Sequence, residues 1–395
     1  MTPAAERRQL RLAGVGTMDP LDYRFWSGIP LNIVNNLRAA GHDVVTVGPL
    51  QPETNIIERI KGRFYRHVHK TVYLVNRNPR IFRKRSKKAS SELLRMGSLD
   101  AIIATYPPDV AVLSTERPII LVHDATWRSL LDFYPGYERH RLADETVNGG
   151  EDLERRALAR CAAMIYASRW AASSAIRDYG VDPAKVSVFP LGACLPDPPE
   201  RQQVTEALAR RDGARCRLLF VGLDWHRKGG DIAVGVTHAL REAGLDAVLD
   251  VVGAEPTEAV PDFVNVHGKL LRSVPRQRER FDDLFLNADF FLLPTRAECQ
   301  GMVFCEAAAY AVPALAHSVG GTPEVVRHGH SGWLLPPVAE PQAFAERIAA
   351  IFNNRELYSQ MAMAAREDFE VRLNWPAFCA HLASVVKSVA GPADA

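Results

Sequence analysis

Short apolar runs alternate with helical patterns along nearly the whole chain. In the first half the runs are LRLAGVG (10–16), DVVTVG (43–48), LDAIIATY (99–106), PIILVHD (118–124), AMIYAS (163–168) and VSVFPLG (186–192). In the second half they are RLLFVG (217–222), AVLDVVG (247–253), FVNVHG (263–268), DFFLLP (289–294), PALAHS (313–318) and GWLLP (332–336). Many are continuously apolar rather than alternating, which predicts parallel strands covered on both faces. Between them lie amphipathic stretches such as IPLNIVNNLRAAG (29–41) and DIAVGVTHALREAG (231–244), each closed by a glycine that suits a helix C-terminus.

Strand, helix and strand repeated twice over predicts an α/β chain of two doubly wound, Rossmann-like domains. A proline-rich, then charged, stretch between residues 194 and 216 marks the break. The expected domains are 1–195 and 196–371. The amphipathic tail WPAFCAHLASVVKSVA belongs to a C-terminal helix of about 372–395, expected to pack back on the first domain.

Length agrees, because 395 residues exceed one ordinary core. With 47% hydrophobic and 24% charged residues, disorder, collagen and coiled coil are excluded. No apolar run approaches the length of a spanning helix, and the start MTPAAERRQLRLAGVG shows no apolar core of a signal peptide. Six cysteines without any C-x-x-C pair suggest a reducing cytoplasm and buried thiols rather than disulfides or zinc.

Net charge is only +2, yet one segment is strongly cationic. From Glu58 to Lys88 stand Arg59, Lys61, Arg63, Arg66, Lys70, Arg77, Arg80, Arg83, Lys84, Arg85, Lys87 and Lys88, and Glu58 is the only acid. Phe64, Tyr65, Tyr73 and Phe82 are interleaved. A solvated face is one reading. An anionic membrane surface, with Phe64, Tyr65 and Phe82 adding interfacial contact, or an anionic acceptor is the other. No nucleic-acid signature accompanies the patch.

Three stretches carry candidate chemistry. In LLPTRAECQGMVFCEAAAYAVP (292–313) a strand should end at Pro294 and a helix begin near Met302. Glu298 would lie in the loop and Glu306 inside the helix. Gly301 permits close approach to the backbone, and the N–H groups of Gly301, Met302 and Val303 would form an anion site. In FVGLDWHRKGGD (220–231), Arg227 and Lys228 follow a strand, where α/β folds bind ligands, and suit a diphosphate. In HSVGGTPEVVRHGHSGWLLPP (317–337), Gly320 and Gly321 allow tight turns beside a ligand, and Glu324 can cap or bind. Taken singly, each stretch is equally well a cap or a solvated turn.

Together they resemble the retaining glycosyltransferases of family 4, whose fold is GT-B: two Rossmann-like domains facing a cleft. The family pattern E-x7-E stands here as Glu298-Cys-Gln-Gly-Met-Val-Phe-Cys-Glu306, its Lys-Gly as Lys228-Gly229, and its glycine loop as Gly320-Gly321-Thr-Pro-Glu324. The resemblance is strong from Leu218 to Pro336 and weaker before it. It implies that Glu298 contacts the donor sugar, Glu306 the ribose, and Lys228 with Arg227 the diphosphate. Gly301, Met302, Val303 and Gly321 would complete the donor site. It further implies that His123, at the end of PIILVHD, lies near the reacting sugar. Gly28, in WSGIP, would let backbone approach phosphate or acceptor.

Departures from the family pattern stand beside these matches. Leu223 follows Gly222 where many members carry Arg, Cys299-Gln300 replaces Gly-Phe, and Ala311-Val312-Pro313 lacks a glycine. No D-x-D occurs, so no metal is expected.

The expected activity is transfer of a sugar from a UDP- or GDP-linked donor to a glycan or lipid-linked acceptor, with retention. Surface polysaccharide or glycoconjugate synthesis is the expected setting, and no other cofactor is called for. The expected location is cytoplasmic, peripheral on the inner membrane face. A nucleotide-sugar epimerase and a catalytically silent nucleotide-binding protein remain alternatives. A dinucleotide oxidoreductase is disfavoured, because GVGTMD lacks G-x-G-x-x-G.

Overall fold

A computed structural model describes residues 8–50, 56–211 and 213–390. The first seven residues, on which the reading of the N-terminus partly rests, and 391–395 of the tail lie outside the described residues. All twelve apolar runs are strands. They are β1 (Arg11–Val15), β2 (Asp43–Val47), β3 (Ala101–Ala104), β4 (Ile119–His123), β5 (Ala163–Tyr166) and β6 (Val186–Val188), then β7 (Cys216–Gly222), β8 (Ala247–Gly253), β9 (Val264–Val266), β10 (Phe290–Leu293), β11 (Ala314–His317) and β12 (Gly332–Leu335). They form two six-stranded sheets, ordered β2-β1-β3-β4-β5-β6 and β12-β11-β10-β7-β8-β9. Every described pairing within them is parallel. The continuous apolar runs follow from this: β3, β5, β10 and β11 are buried at every residue, as strands covered on both faces must be.

The chain divides into two compact units. One comprises Met1–Leu191 and Trp375–Ala395, the other Gly192–Asn374. In the first unit the core centres on Ala13, Ile102, Leu121, Met164 and Tyr166. The helix Trp375–Val389 joins it, with Phe378 edge-on to Phe189 and the Cys379 Sγ 3.7 Å from the Ile33 carbonyl. In the second unit Leu218, Phe220, Phe291 and Leu315 centre the core. Strand order reverses between β1 and β3 in one sheet and between β7 and β10 in the other. Ligands of open α/β sheets sit at such points, beyond the carboxyl ends of the strands. Among the described residues, no helix is long and apolar enough to cross a membrane.

The basic segment forms two helices. With α1 as Ile29–Ala39, they are α2 (Ile56–Phe64) and α3 (Pro79–Arg95). Here one expectation is corrected. Phe82 makes no interfacial contact: it is fully buried, on the α3 stripe Phe82-Ser86-Ala89-Leu93 that packs on the core. Nor are all twelve cations solvated. Arg77 is buried, Arg85 is half-buried with its Nη1 3.2 Å from the Thr17 hydroxyl, and Lys61 pairs with Glu145.

Candidate active site

In the second unit the switch point between β7 and β10 is built by steric necessity. After β7, Asp224 caps a single helical turn, Trp225–Lys228, by accepting from the Arg227 N–H at 3.0 Å. Gly229 follows at φ +78, and any Cβ there would stand 2.1 Å from the Pro294 carbonyl oxygen. A Cβ on Gly222 would stand 2.9 Å from the Lys228 Cγ. The lysine stem is thereby laid over the end of β7 and buried. Its ammonium meets the Glu298 carboxylate. Arg227 donates to the Ala297 carbonyl at 3.0 Å and lies 3.5 Å from the same carboxylate.

The loop after β10 is fastened on several sides. The Thr295 hydroxyl and the Arg296 N–H both donate to the Arg227 carbonyl, at 3.1 and 2.7 Å. Arg296 also grips Asp231 through two bonds of 2.8 and 2.6 Å. The Gly321 N–H donates to the Glu298 carbonyl at 3.1 Å, so Gly321 fixes the loop that presents Glu298. Gly301, at φ +82, starts the helix Met302–Ala309, and a Cβ there would press to 2.7 Å from the Phe304 ring. The N–H groups of Met302 and Val303 open that helix without an intrahelical acceptor.

Glu306, one turn further on, is 3% exposed and paired with Arg272 at 2.6 Å. Burial raises its carboxyl above the usual range, and Arg272 opposes the rise. Arg272 also donates to the Cys194 carbonyl and lies over the Phe281 ring. Arg272 was missed in the sequence, where it follows β9 in a loop without a motif. Among the described residues no group of His, Cys, Asp and Glu could hold a metal ion.

In the first unit the loop that holds Gly28 meets His123 through Trp26. Trp26, Ser27 and Gly28 take positive φ in succession (43°, 54° and 75°), and the Trp26 ring lies 5.1 Å from the His123 ring. Burial, with help from Arg77, holds the His123 imidazole down at about 3, so it stays neutral. Around it lies a polar interior that sequence reasoning missed. The Arg77 guanidinium lies 4.2 Å from the Trp127 ring centre and 5.3 Å from that of Tyr106. Adjacent helical glycines make this possible: a Cβ on Gly149 would strike the Arg77 carbonyl, and one on Gly150 the Trp127 ring. The Arg77 Nε, His123 Nδ1, Glu154 Oε1 and Tyr166 hydroxyl are buried without a hydrogen-bond partner.

This interior has a pH signature. Burial pushes the Glu154 carboxyl up to about 7. The folded chain therefore holds this proton more tightly than the unfolded chain, and stability falls as pH rises from the ordinary carboxyl range through about 7. The depressed His123 acts oppositely, losing stability as pH falls below the usual imidazole range. Glu154→Gln should remove the first contribution. Its stability should decline less than the parent's between about pH 5 and 8, by on the order of 2–3 kcal/mol. Denaturant titrations across that range check this, and parallel curves would show that Glu154 titrates normally.

Comparison with known proteins accounts for both units. The profile of the glycosyl transferases group 1 matches residues 209–368, and that of glycosyltransferase family 4 matches residues 31–195. The chain belongs to the group 1 glycosyl transferases. A D-inositol 3-phosphate glycosyltransferase of Xylanimonas cellulosilytica is 29% identical over 225 residues, 54% of each chain. The chain spans about half the length of the curated relatives it matches. Sucrose-phosphate synthase of Thermosynechococcus elongatus shares the fold at TM-score 0.64 and 18% identity, over 96% of this chain and 98% of that one. HepE of Anabaena, solved with UDP-glucose, does so at TM-score 0.58 and 13% identity, over 94% and 99%. Such likenesses establish a GT-B fold of two Rossmann-like domains.

Proposed function

We propose that the chain transfers a sugar from a nucleotide-sugar donor to an acceptor hydroxyl, with retention at the anomeric carbon. The observation that carries this reading is the constellation in the second unit: Lys228 and Arg227 on Glu298, beside the helix that begins at Gly301 and bears Glu306. Two cations and a helix N-terminus at a topological switch point suit a diphosphate. Without ligand, Glu298 occupies the cations. A bound diphosphate takes its place on them and releases the Glu298 carboxylate to the hydroxyls of the sugar. Glu306, held by Arg272, faces the ribose.

In the reaction the bond from the anomeric carbon to the diphosphate breaks and the acceptor oxygen bonds that carbon. The acceptor proton passes to the departing phosphate oxygen. Charge grows on the diphosphate, so Lys228, Arg227 and the helix N-terminus supply the main stabilisation. The first unit takes the acceptor, a glycan or lipid-linked sugar, against the Gly28 loop and the polar groups around His123. UDP and GDP donors both fit this scheme. Six cysteines without a C-x-x-C pair, five of them buried, support a reducing, cytoplasmic setting.

A screen of UDP- and GDP-sugars by thermal shift, followed by assay of nucleoside diphosphate release with acceptor, tests the function. If no donor gives either a melting shift or nucleoside diphosphate release, the function is overturned. Turnover should also persist in EDTA, because the chain has no D-x-D and Lys228 and Arg227 supply the positive charge for the diphosphate. Activity lost to EDTA and restored by Mg²⁺ or Mn²⁺ would contradict this.

A further inference from the structure

The helix α2 sits on the first unit with its polar side inward. Its docked row is Glu58, Lys61, Gly62 and Tyr65, the i, i+3, i+4, i+7 spacing of a helix face. Glu58 accepts from the Tyr73 hydroxyl at 2.7 Å and from the Asn78 amide at 3.1 Å. Lys61 pairs with Glu145, and Tyr65 stacks on Tyr73 with ring centres 5.5 Å apart. No residue of α2 is buried.

The apolar side faces outward. Ile56, Ile60 and Phe64, with Ile57 beside them and Val68 one turn beyond, are each 51–70% exposed. Helices on globular domains bury such a stripe, so this one calls for something to cover it. Its flank names the chemistry. Arg59, Arg63 and Arg66 form the next row of the helix, and all three are exposed. The one acid of α2, Glu58, is turned inward and satisfied. Lys70, Arg80, Arg83, Lys84, Lys87 and Lys88 follow, also exposed. A narrow aliphatic stripe edged by arginines, in a cationic segment, matches the boundary between anionic headgroups and acyl chains.

We propose that α2 is a membrane-surface helix, which lays Ile56, Ile60, Phe64 and Val68 into an anionic bilayer while Arg59, Arg63 and Arg66 engage the headgroups. Cations alone would give a patch sensitive only to salt. Here the apolar stripe is required as well, and α3 contributes charge without insertion, its Phe82 being sealed in the core.

Vesicle sedimentation tests this without any turnover, so its outcome is separate from that of the transferase reading. The probes are phosphatidylcholine vesicles with and without phosphatidylglycerol. The full chain should pellet with the anionic vesicles and at least about tenfold less with neutral ones, more weakly as salt rises. Ile60→Asp with Phe64→Asp should cut binding about tenfold or more, and Arg59→Glu with Arg63→Glu should do the same. The melting temperature should stay unchanged in both, showing that the fold is intact. The proposal is overturned if the double Asp variant pellets like the parent, or if the parent ignores anionic vesicles. It is likewise overturned if sedimentation velocity shows a dimer that the same Asp pair dissolves, since the stripe would then be covered by a second copy.

Discussion

Lys228→Ala is expected to lower kcat/KM for nucleotide-sugar turnover by about 10²–10³-fold, the effect of losing one preorganised donor at a developing anion. The size follows from how the side chain is held. Its stem rests on Gly222, where a Cβ would clash, and its side chain, 10% exposed, ends on Glu298. A charge fixed before the reaction needs no reorganisation as the diphosphate departs. Arg227 remains after the substitution, 3.5 Å from the Glu298 carboxylate, so the loop keeps a partner and the melting temperature should change little. Steady-state release of nucleoside diphosphate measures the loss. A variant with nearly parental kcat/KM would remove Lys228 from the diphosphate.

The strands were readable because parallel strands buried on both faces carry uninterrupted apolar runs, as β3, β5, β10 and β11 do. The turn at Gly301 was readable for a similar local reason: an acid, a glycine and an apolar helical run stand within a few residues. What escaped was non-local. Arg272 reaches Glu306 across 34 positions from a loop with no pattern of its own. Arg77 looked like one of twelve solvated cations, yet two helical glycines 72 and 73 positions later let it lie under Trp127. Charge counting records a cation but not the ring above it. Phe82 and Phe64 look alike in the basic segment. Their fates diverge because α3 presents its apolar stripe to the core and α2 presents its polar row. An apolar face turned outward reverses the rule by which periodicity is read, and only the docked Glu58, Lys61 and Tyr65 disclose it.

Arg272→Ala should destabilise the second unit by about 3 kcal/mol and weaken nucleotide binding together. Removing one partner of a buried ion pair strands the other, at about 3–5 kcal/mol, and the lower end applies because the Arg272 side chain keeps 26% of its exposure. The stranded group is Glu306, whose carboxyl burial already pushes upward. Without Arg272 the carboxyl should be pushed up further, which weakens it as an acceptor for a ribose hydroxyl. Glu306→Gln acts on the other side of the pair. It leaves no buried carboxylate, and Arg272, 26% exposed, retains the Cys194 carbonyl, so stability should drop by only about 1 kcal/mol while nucleotide affinity falls about tenfold. The double variant separates the two roles. Adding Glu306→Gln to Arg272→Ala should recover much of the lost stability, since the stranded carboxylate is gone, but none of the affinity. Denaturant midpoints and nucleotide titrations on the four proteins measure both. Additive stability losses would mean that the 2.6 Å contact carries no coupling, and recovered affinity would take Glu306 out of the nucleotide site.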